Sequence, residues 1–500
     1  MTKELGSTAF GLGEIGCCAK VSRRALLGQA ALGGVAFAIG ATGRATPVKA
    51  QGLLPADLVA AAQLGGQVSY AVADLKTGQV LETMNADLGM APASTMKALT
   101  TCYAFSTLGT SYRFVTRLVA TGPIAGGVLN GDLILMGGGD PTLSTDGLAI
   151  LAGKLADLGV TRISGRFLTY GGALPFREEI ADDQPVYVGY NPAVSGLILN
   201  YNRVHFEWKR GQGGYQLAMD ARGSRERPRA YTVTAGLSNR EKPVYTYAQT
   251  GGKEQWTVSA RALGSGGSRW LPVRAPDAYA GDVFQTLARA RGVDLPNPAD
   301  LRGTPRGQVI ADLTSEPLSE IARDMLRYST NITAEAVGMT ASAQLGVAGG
   351  GSASGRAMSS WLKQTAGLKS AKLEDHSGLG VNSRISALDM VRALTAHGPA
   401  IGLRGVMRDF GMRDAQGGVI KGHPLQVQAK TGTLNFVSTL AGYMTAQDGT
   451  ELVFAVFTGD LQRRARAKDQ ETPEGSGAWV RRSKILQSRL IERWDGLYGR

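Results

Sequence analysis

Histidine and cysteine are scarce, with four and three copies in 500 residues. Cys17 and Cys18 precede an apolar stretch, so a chain cut after that stretch keeps only Cys102 and has no internal disulfide. His205, His376, His397 and His423 make neither an H-x-x-x-H pair nor a Cys/His cluster. Metal-dependent hydrolysis therefore finds no support, and neither a metal nor another cofactor is expected. No serine that can be placed on a strand–helix turn lies in a G-x-S-x-G elbow, which leaves a Ser-His-Asp triad without local evidence. The lone histidines read as structural or surface residues. Beyond residue 50 there is no apolar run able to span a bilayer and no long Lys/Arg run, although the net charge is +13. Nucleic acid is thus not an expected partner. The basic surplus suits cell-wall polymers or lipid headgroups, or is simply an arginine-rich composition.

What is present begins with an export signal. A basic cluster, Lys20 to Arg24, precedes the weakly apolar stretch Ala25–Thr42, and Val48-Lys49-Ala50 is a small-x-small cleavage site. Ser22-Arg23-Arg24-Ala25-Leu26-Leu27 resembles a twin-arginine signal, although the sequence does not decide between that route and the general secretory one. The alternative is a membrane anchor, which Gln29 and the glycines make poor in hydrophobicity. The expectation is a signal peptide over 1–50, cut after Ala50, and a periplasmic chain.

Patterning predicts a helix over Leu54–Leu64, a hairpin of Val68–Leu75 and Val80–Met84, and a helix over Ala91–Ser106. Residues 112–202 alternate short strands (Phe114–Ala120, Asp132–Met136) with a helix near Leu148–Leu158. Strand-like alternation continues through 203–275, residues 278–292 read as a helix, and Pro296–Pro305 resembles a linker. Helices follow over Leu318–Tyr328, Thr333–Leu345, Gly355–Thr365 and Ala387–His397. Strands are expected over Leu425–Ala429, Thr439–Thr445 and Glu451–Thr458, and a final helix over Trp479–Trp494. Arginines 481, 482, 489 and 493 of that helix admit peripheral membrane contact, against the plainer reading of a helix covering a sheet. The order implies an α/β domain split in sequence, 51–111 and 310–500, with residues 112–309 inserted and an inner module at about 203–275.

Three short motifs have to be weighed together, because each alone is common. Ser-x-x-Lys occurs at Ser94–Lys97 and Ser360–Lys363, Lys-Thr-Gly at 76–78 and 430–432, and Ser-x-Asn at Ser329–Asn331. Ser94 opens an apolar helical run, which puts Lys97 on the same face and both beside the positive helix end. That combination offers a nucleophile, an amine and part of an anion-stabilising site. A lysine serves as a base only where burial or positive neighbours lower its pKa. Ser360–Lys363 interrupts a predicted helix at Trp361 and reads as a surface pair, and the Lys76 copy is turn chemistry. Lys430-Thr431-Gly432-Thr433 ends a strand pattern, where a sheet edge can offer a cation, hydroxyls and main-chain groups to an extended peptide.

Ser94–Lys97, Ser329–Asn331 and Lys430–Gly432, in that order, resemble the signature of penicillin-binding proteins and serine β-lactamases. The 235 positions from Ser94 to Ser329 narrow the resemblance to class C low-molecular-mass penicillin-binding proteins, the D-Ala-D-Ala carboxypeptidase/endopeptidase family S13. Gly138-Gly139-Asp140-Pro141-Thr142-Leu143 and Asp375-His376-Ser377-Gly378-Leu379 agree, although His376 stands where the family usually has glycine and Gly380-Val381-Asn382 is added before Ser383-Arg384. The resemblance implies a penicillin-binding-protein/β-lactamase-like fold, an antiparallel sheet flanked by helices and split by two smaller mixed α/β domains. It implies Ser94 as nucleophile, Lys97 as base, Ser329 as proton relay and Asn331 as positioning group. Lys430, Thr431 and Thr433 would hold the substrate carboxylate, and the Ser94 and Thr433 N–H groups would form the oxyanion hole. The implied partners are peptidoglycan stem peptides ending in D-Ala-D-Ala, with β-lactams as covalent inhibitors; the oligomeric state is left open. A serine β-lactamase and an inactive wall-binding relative are the alternatives.

Overall fold

The computed structural model describes residues 54–468 and 470–499. The expected signal peptide and its cleavage site, with Cys17 and Cys18, lie outside them.

Strands from the two ends of the chain form one antiparallel sheet, in the order Gln426–Leu434, Val437–Thr445, Glu451–Gly459, Gln67–Asp74, Val80–Met84. Side chains alternate across a strand, so a sheet covered on both faces reads as continuous apolar sequence. The strand Glu451–Gly459 does this: Val453, Ala455 and Phe457 join the core on one face, and Leu452, Phe454 and Val456 the core on the other. The first face is covered by the helices Met96–Leu108, Leu318–Tyr328, Asn331–Gln344, Gly351–Ala366 and Ala387–His397. The second is covered by the final helix Ser476–Tyr498 through Trp479, Leu486, Leu490, Ile491 and Trp494. That helix covers a sheet, as its plainer reading had it. Met96–Leu108 is buried from Met96 to Phe105, so it packs on every side, Lys97, Thr100 and Thr101 included.

The intervening residues build a second five-stranded sheet, ordered Ala299–Asp300, Phe167–Tyr170, Leu133–Met136, Val115–Ala120, Gln308–Thr314. Helices Thr145–Asp157 and Pro276–Arg289 supply its core, and two three-stranded sheets within 203–272 share that core. The mixed α/β class and the helix-flanked antiparallel sheet agree with the expectation.

Two local expectations need correction. Residues 296–305 are not purely a linker, because Ala299–Asp300 pairs in parallel with Leu168–Thr169. Gly351–Ala366 runs unbroken through Trp361, whose half-buried ring packs on the helical core; Ser360 and Lys363 still face solvent, as a surface pair should.

Trp479 ties the final helix to the sheet: its ring is fully buried and its Nε1 donates to the Leu64 carbonyl at 2.7 Å. Replacing it with alanine removes a large core volume and orphans that carbonyl, at a cost of ~3–5 kcal/mol. Urea unfolding of residues 51–500 should register that loss, and a shift below about 1 kcal/mol would contradict this packing.

Candidate active site

Pro92 breaks the chain ahead of a single 3₁₀ turn, Ala93–Thr95, which continues directly into Met96–Leu108. Ala93 has a positive φ of 45°, uncommon for alanine, and its carbonyl is crowded by Gly378. A Cβ on Gly378 would come within 1.9 Å of that oxygen. This strained entry delivers Ser94 to the mouth of a cleft of about 820 Å³, lined also by Tyr190, Ser329, Asn331, Thr433 and Arg464.

Lys97 lies one turn on and is fully buried. Its Nζ donates to Ser94 Oγ at 3.0 Å, to Asn331 Oδ1 at 2.8 Å and to the Ser377 carbonyl at 2.8 Å. A neutral amine has two N–H bonds and one lone pair. The two carbonyl-type oxygens can only accept, so deprotonation leaves the lone pair facing the Ser94 hydroxyl. Burial lowers the Lys97 pKa to about 7, against the raising influence of Asp375 and Glu335.

The second segment enters from a helix junction. Leu318–Tyr328 ends at Ser329, which is left-handed at φ 59°, and Asn331 begins the next helix. A left-handed serine at a helix C-terminus is strained and turns its side chain into the cleft beside Ser94. Asn331 uses its Oδ1 on Lys97, while its Nδ2 donates to the Tyr190 carbonyl at 3.0 Å.

Lys430, Thr431, Gly432 and Thr433 lie within the edge strand Gln426–Leu434, rather than at its end. Gly432 packs against the Ser94 backbone: a Cβ there would sit 2.8 Å from Ser94 N and 2.1 Å from Thr439 Oγ1. Lys430 is buried and donates to the Thr431 carbonyl at 2.7 Å. Burial, with Lys97 and Arg408 nearby, holds its pKa well below the ordinary lysine value. An arriving carboxylate would favour the charged form again.

Of the residues predicted from the three motifs, Ser94, Ser329, Asn331 and Thr433 line one cleft, Lys97 and Gly432 lie against Ser94, and Lys430 and Thr431 belong to the same edge strand. Several others at the site escaped the sequence reading. Asp183 pairs with Arg464 at 2.9 Å and Glu471 with Arg269 at 2.7 Å, joining the residues after the main sheet to the inserted segment. Glu335, four residues beyond Asn331, is fully buried; its helical spacing was the available signal. His376 is no surface residue: its ring is completely buried, bonded through Nε2 to Ser354 Oγ at 2.7 Å, and burial lowers its pKa to about 4. It takes a structural place against Gly338, where a Cβ would meet the ring at 2.2 Å. Cys102 is no rival nucleophile, since burial pushes its thiol up to about 12.

His205, Glu207 and Asp220 are close enough to share a cation, but Arg222 already bridges the two carboxylates at 2.9 and 3.0 Å. Among the described residues no helix is long and apolar enough to cross a membrane.

The model of the D-Ala-D-Ala carboxypeptidase 3 (S13) family matches residues 55–475. The D-alanyl-D-alanine carboxypeptidase of Actinomadura sp. (strain R39) is 29% identical over 433 residues, covering 79% of this chain and 78% of that protein. D-alanyl-D-alanine carboxypeptidase DacB of Haemophilus influenzae is 25% identical, covering 80% and 88%. The crystal structure of penicillin binding protein 4 from Haemophilus influenzae superposes with a TM-score of 0.71 at 20% identity, covering 88% of this chain and 100% of that one, and establishes the likeness of fold.

With Lys97 as the titrating base, serine acylation should rise tenfold per pH unit at low pH and level off near pH 7. A stopped-flow profile of acylation by a chromogenic β-lactam checks this; a rate flat from pH 5 to 9 would rule out a titrating amine.

Proposed function

The chain belongs to the D-Ala-D-Ala carboxypeptidase S13 family, and from that premise we propose that it is an exported serine carboxypeptidase and DD-endopeptidase acting on peptidoglycan stem peptides through an acyl-enzyme at Ser94. The observation that carries this reading is the buried Lys97 amine held within 3.0 Å of Ser94 Oγ by two acceptors at the cleft wall.

In this mechanism neutral Lys97 takes the Ser94 proton as Oγ attacks the carbonyl carbon of the penultimate D-alanine. The N–H groups of Ser94 and Thr433 receive the oxyanion, and loss of one such donor typically costs ~10²–10³ in kcat. Collapse breaks the peptide bond, and the Ser329 hydroxyl passes the proton to the leaving amine, either terminal D-alanine or a cross-linking diamino acid. Lys430, Thr431 and Thr433 hold the substrate carboxylate, with Gly432 giving room for its approach. Asn331 orients Lys97 and offers its Nδ2 to a substrate carbonyl in place of the Tyr190 carbonyl. Water then hydrolyses the ester. A β-lactam undergoes the same attack, but its leaving group stays tethered and obstructs that water, so acylation persists.

The same reading assigns 51–111 and 310–500 to the acyl-transfer domain and 112–309 to the insertion. A sheet shared by both ends of the chain supports the division, while the strand Gln308–Thr314, paired with Val115–Ala120, carries the insertion's sheet on to Thr314. The twin-arginine-like segment and Val48-Lys49-Ala50 support export to the periplasm with cleavage after Ala50.

D-Alanine release from a synthetic peptide ending in D-Ala-D-Ala should fall by at least ~10³ in Ser94→Ala. Unchanged release in that variant would overturn the assignment of Ser94. Lys430→Ala should raise KM for the same peptide by ~10-fold or more, a smaller effect on kcat marking its part in carboxylate binding.

A further inference from the structure

Behind the amine lies a buried carboxylate that the proposed mechanism does not use. Glu335 Oε1 accepts from the backbone N–H of His376 at 3.1 Å and of Ser377 at 2.9 Å. The carbonyl of that same Ser377 receives the Lys97 amine. One turn earlier on the Glu335 helix, Asn331 holds the amine from the other side. Glu335 therefore grips both lysine acceptors: one through the loop backbone, one through its own helix. The loop is held elsewhere by Thr100 Oγ1, which donates to the His376 carbonyl at 2.7 Å, and by Ser383 Oγ, which donates to Asp375 Oδ1 at 2.6 Å.

The other carboxylate oxygen, Oε2, is buried without a hydrogen bond and faces Arg177 Nη1 at 3.8 Å. Arg177 comes from the segment inserted between the two parts of the main sheet, and its Nη2 donates to the Ile180 carbonyl at 2.7 Å. Two N–H donors and a guanidinium are the surroundings of a charged carboxylate.

We infer that Glu335 is a positioning residue for the acylation step, fixing the Ser377 carbonyl as an acceptor for Lys97 and placing a negative charge beside that amine, with Arg177 setting how strongly the charge is felt. This rests on Ser94 and Lys97 being the reacting pair. The charged or titratable groups around Lys97 are Glu335 on the following helix, Asp375 and His376 on the loop, and Lys430 with Arg408 behind it on the strand side. His376 is neutral at working pH, and burial with the nearby Glu335 raises the Asp375 pKa. Asp375 and Glu335 both favour the charged amine, and Arg177 stands against Glu335.

The sign of each substitution follows. Glu335→Gln keeps an oxygen for the two N–H groups but removes the charge that favours protonated Lys97. The acidic limb of acylation should then move to lower pH, by roughly half a unit to one unit. Arg177→Gln removes a positive charge and strengthens the field of Glu335, so its limb should move to higher pH. A loop that had merely loosened would lower the rate at every pH without opposite displacements. The experiment is the pH profile of acylation by a chromogenic β-lactam for the wild-type chain, Glu335→Gln and Arg177→Gln. Opposite shifts support the inference. Coincident limbs, or two shifts of the same sign, overturn it while leaving the acyl-enzyme reading intact; a wild type that is not acylated overturns that reading itself.

Discussion

A single buried amine organises this site. Lys97 has no contact with solvent, and its hydrogen bonds come from three places far apart in sequence: Ser94 on its own turn, Asn331 on another helix and Ser377 on a loop. An isolated buried ammonium costs several kcal/mol, so the chain can bury Lys97 only if those segments arrive together. Each partner is then constrained by a further contact. Asn331 follows a left-handed Ser329, Ser377 hangs from Glu335, and the turn carrying Ser94 is pressed by Gly378 at Ala93 and by Gly432 at Ser94 itself. The same burial that makes the amine costly to hold makes it basic near neutrality without keeping it permanently charged.

The sheet supplies the rest. Its edge strand runs beside the turn that carries Ser94, with Gly432 against the Ser94 backbone. The Lys97 amine disfavours the charge of Lys430. The opposite wall comes from the inserted segment, held across the cleft by Asp183–Arg464 and Arg269–Glu471.

Much of this was legible in the residues alone. Apolar runs located the central strands, and the apolar run after Ser94 located the helix, though not its burial on every side. The candidate site was legible because its residues sit in short motifs whose order and spacing resemble a known family; the closeness of Asn331 to Lys97, 234 positions apart, had no other local sign. What stayed hidden depends on tertiary placement. Arg177 meets Glu335 only because the insertion folds back over the helix that follows Ser329. His376 stood out only as a departure from the family's glycine, and its burial needs the missing side chain of Gly338 on a different helix. The parallel pairing of Ala299–Asp300 spans two residues, too few for any periodicity to register.

The central claim is that Ser94 is the residue acylated. Incubating residues 51–500 with benzylpenicillin, then measuring intact mass and mapping the digested adduct, tests it most directly. The account predicts one penicilloyl group per chain, lasting, and carried by the peptide containing Ser94. A label on any other residue, or rapid loss of the adduct with turnover of the drug, would contradict it.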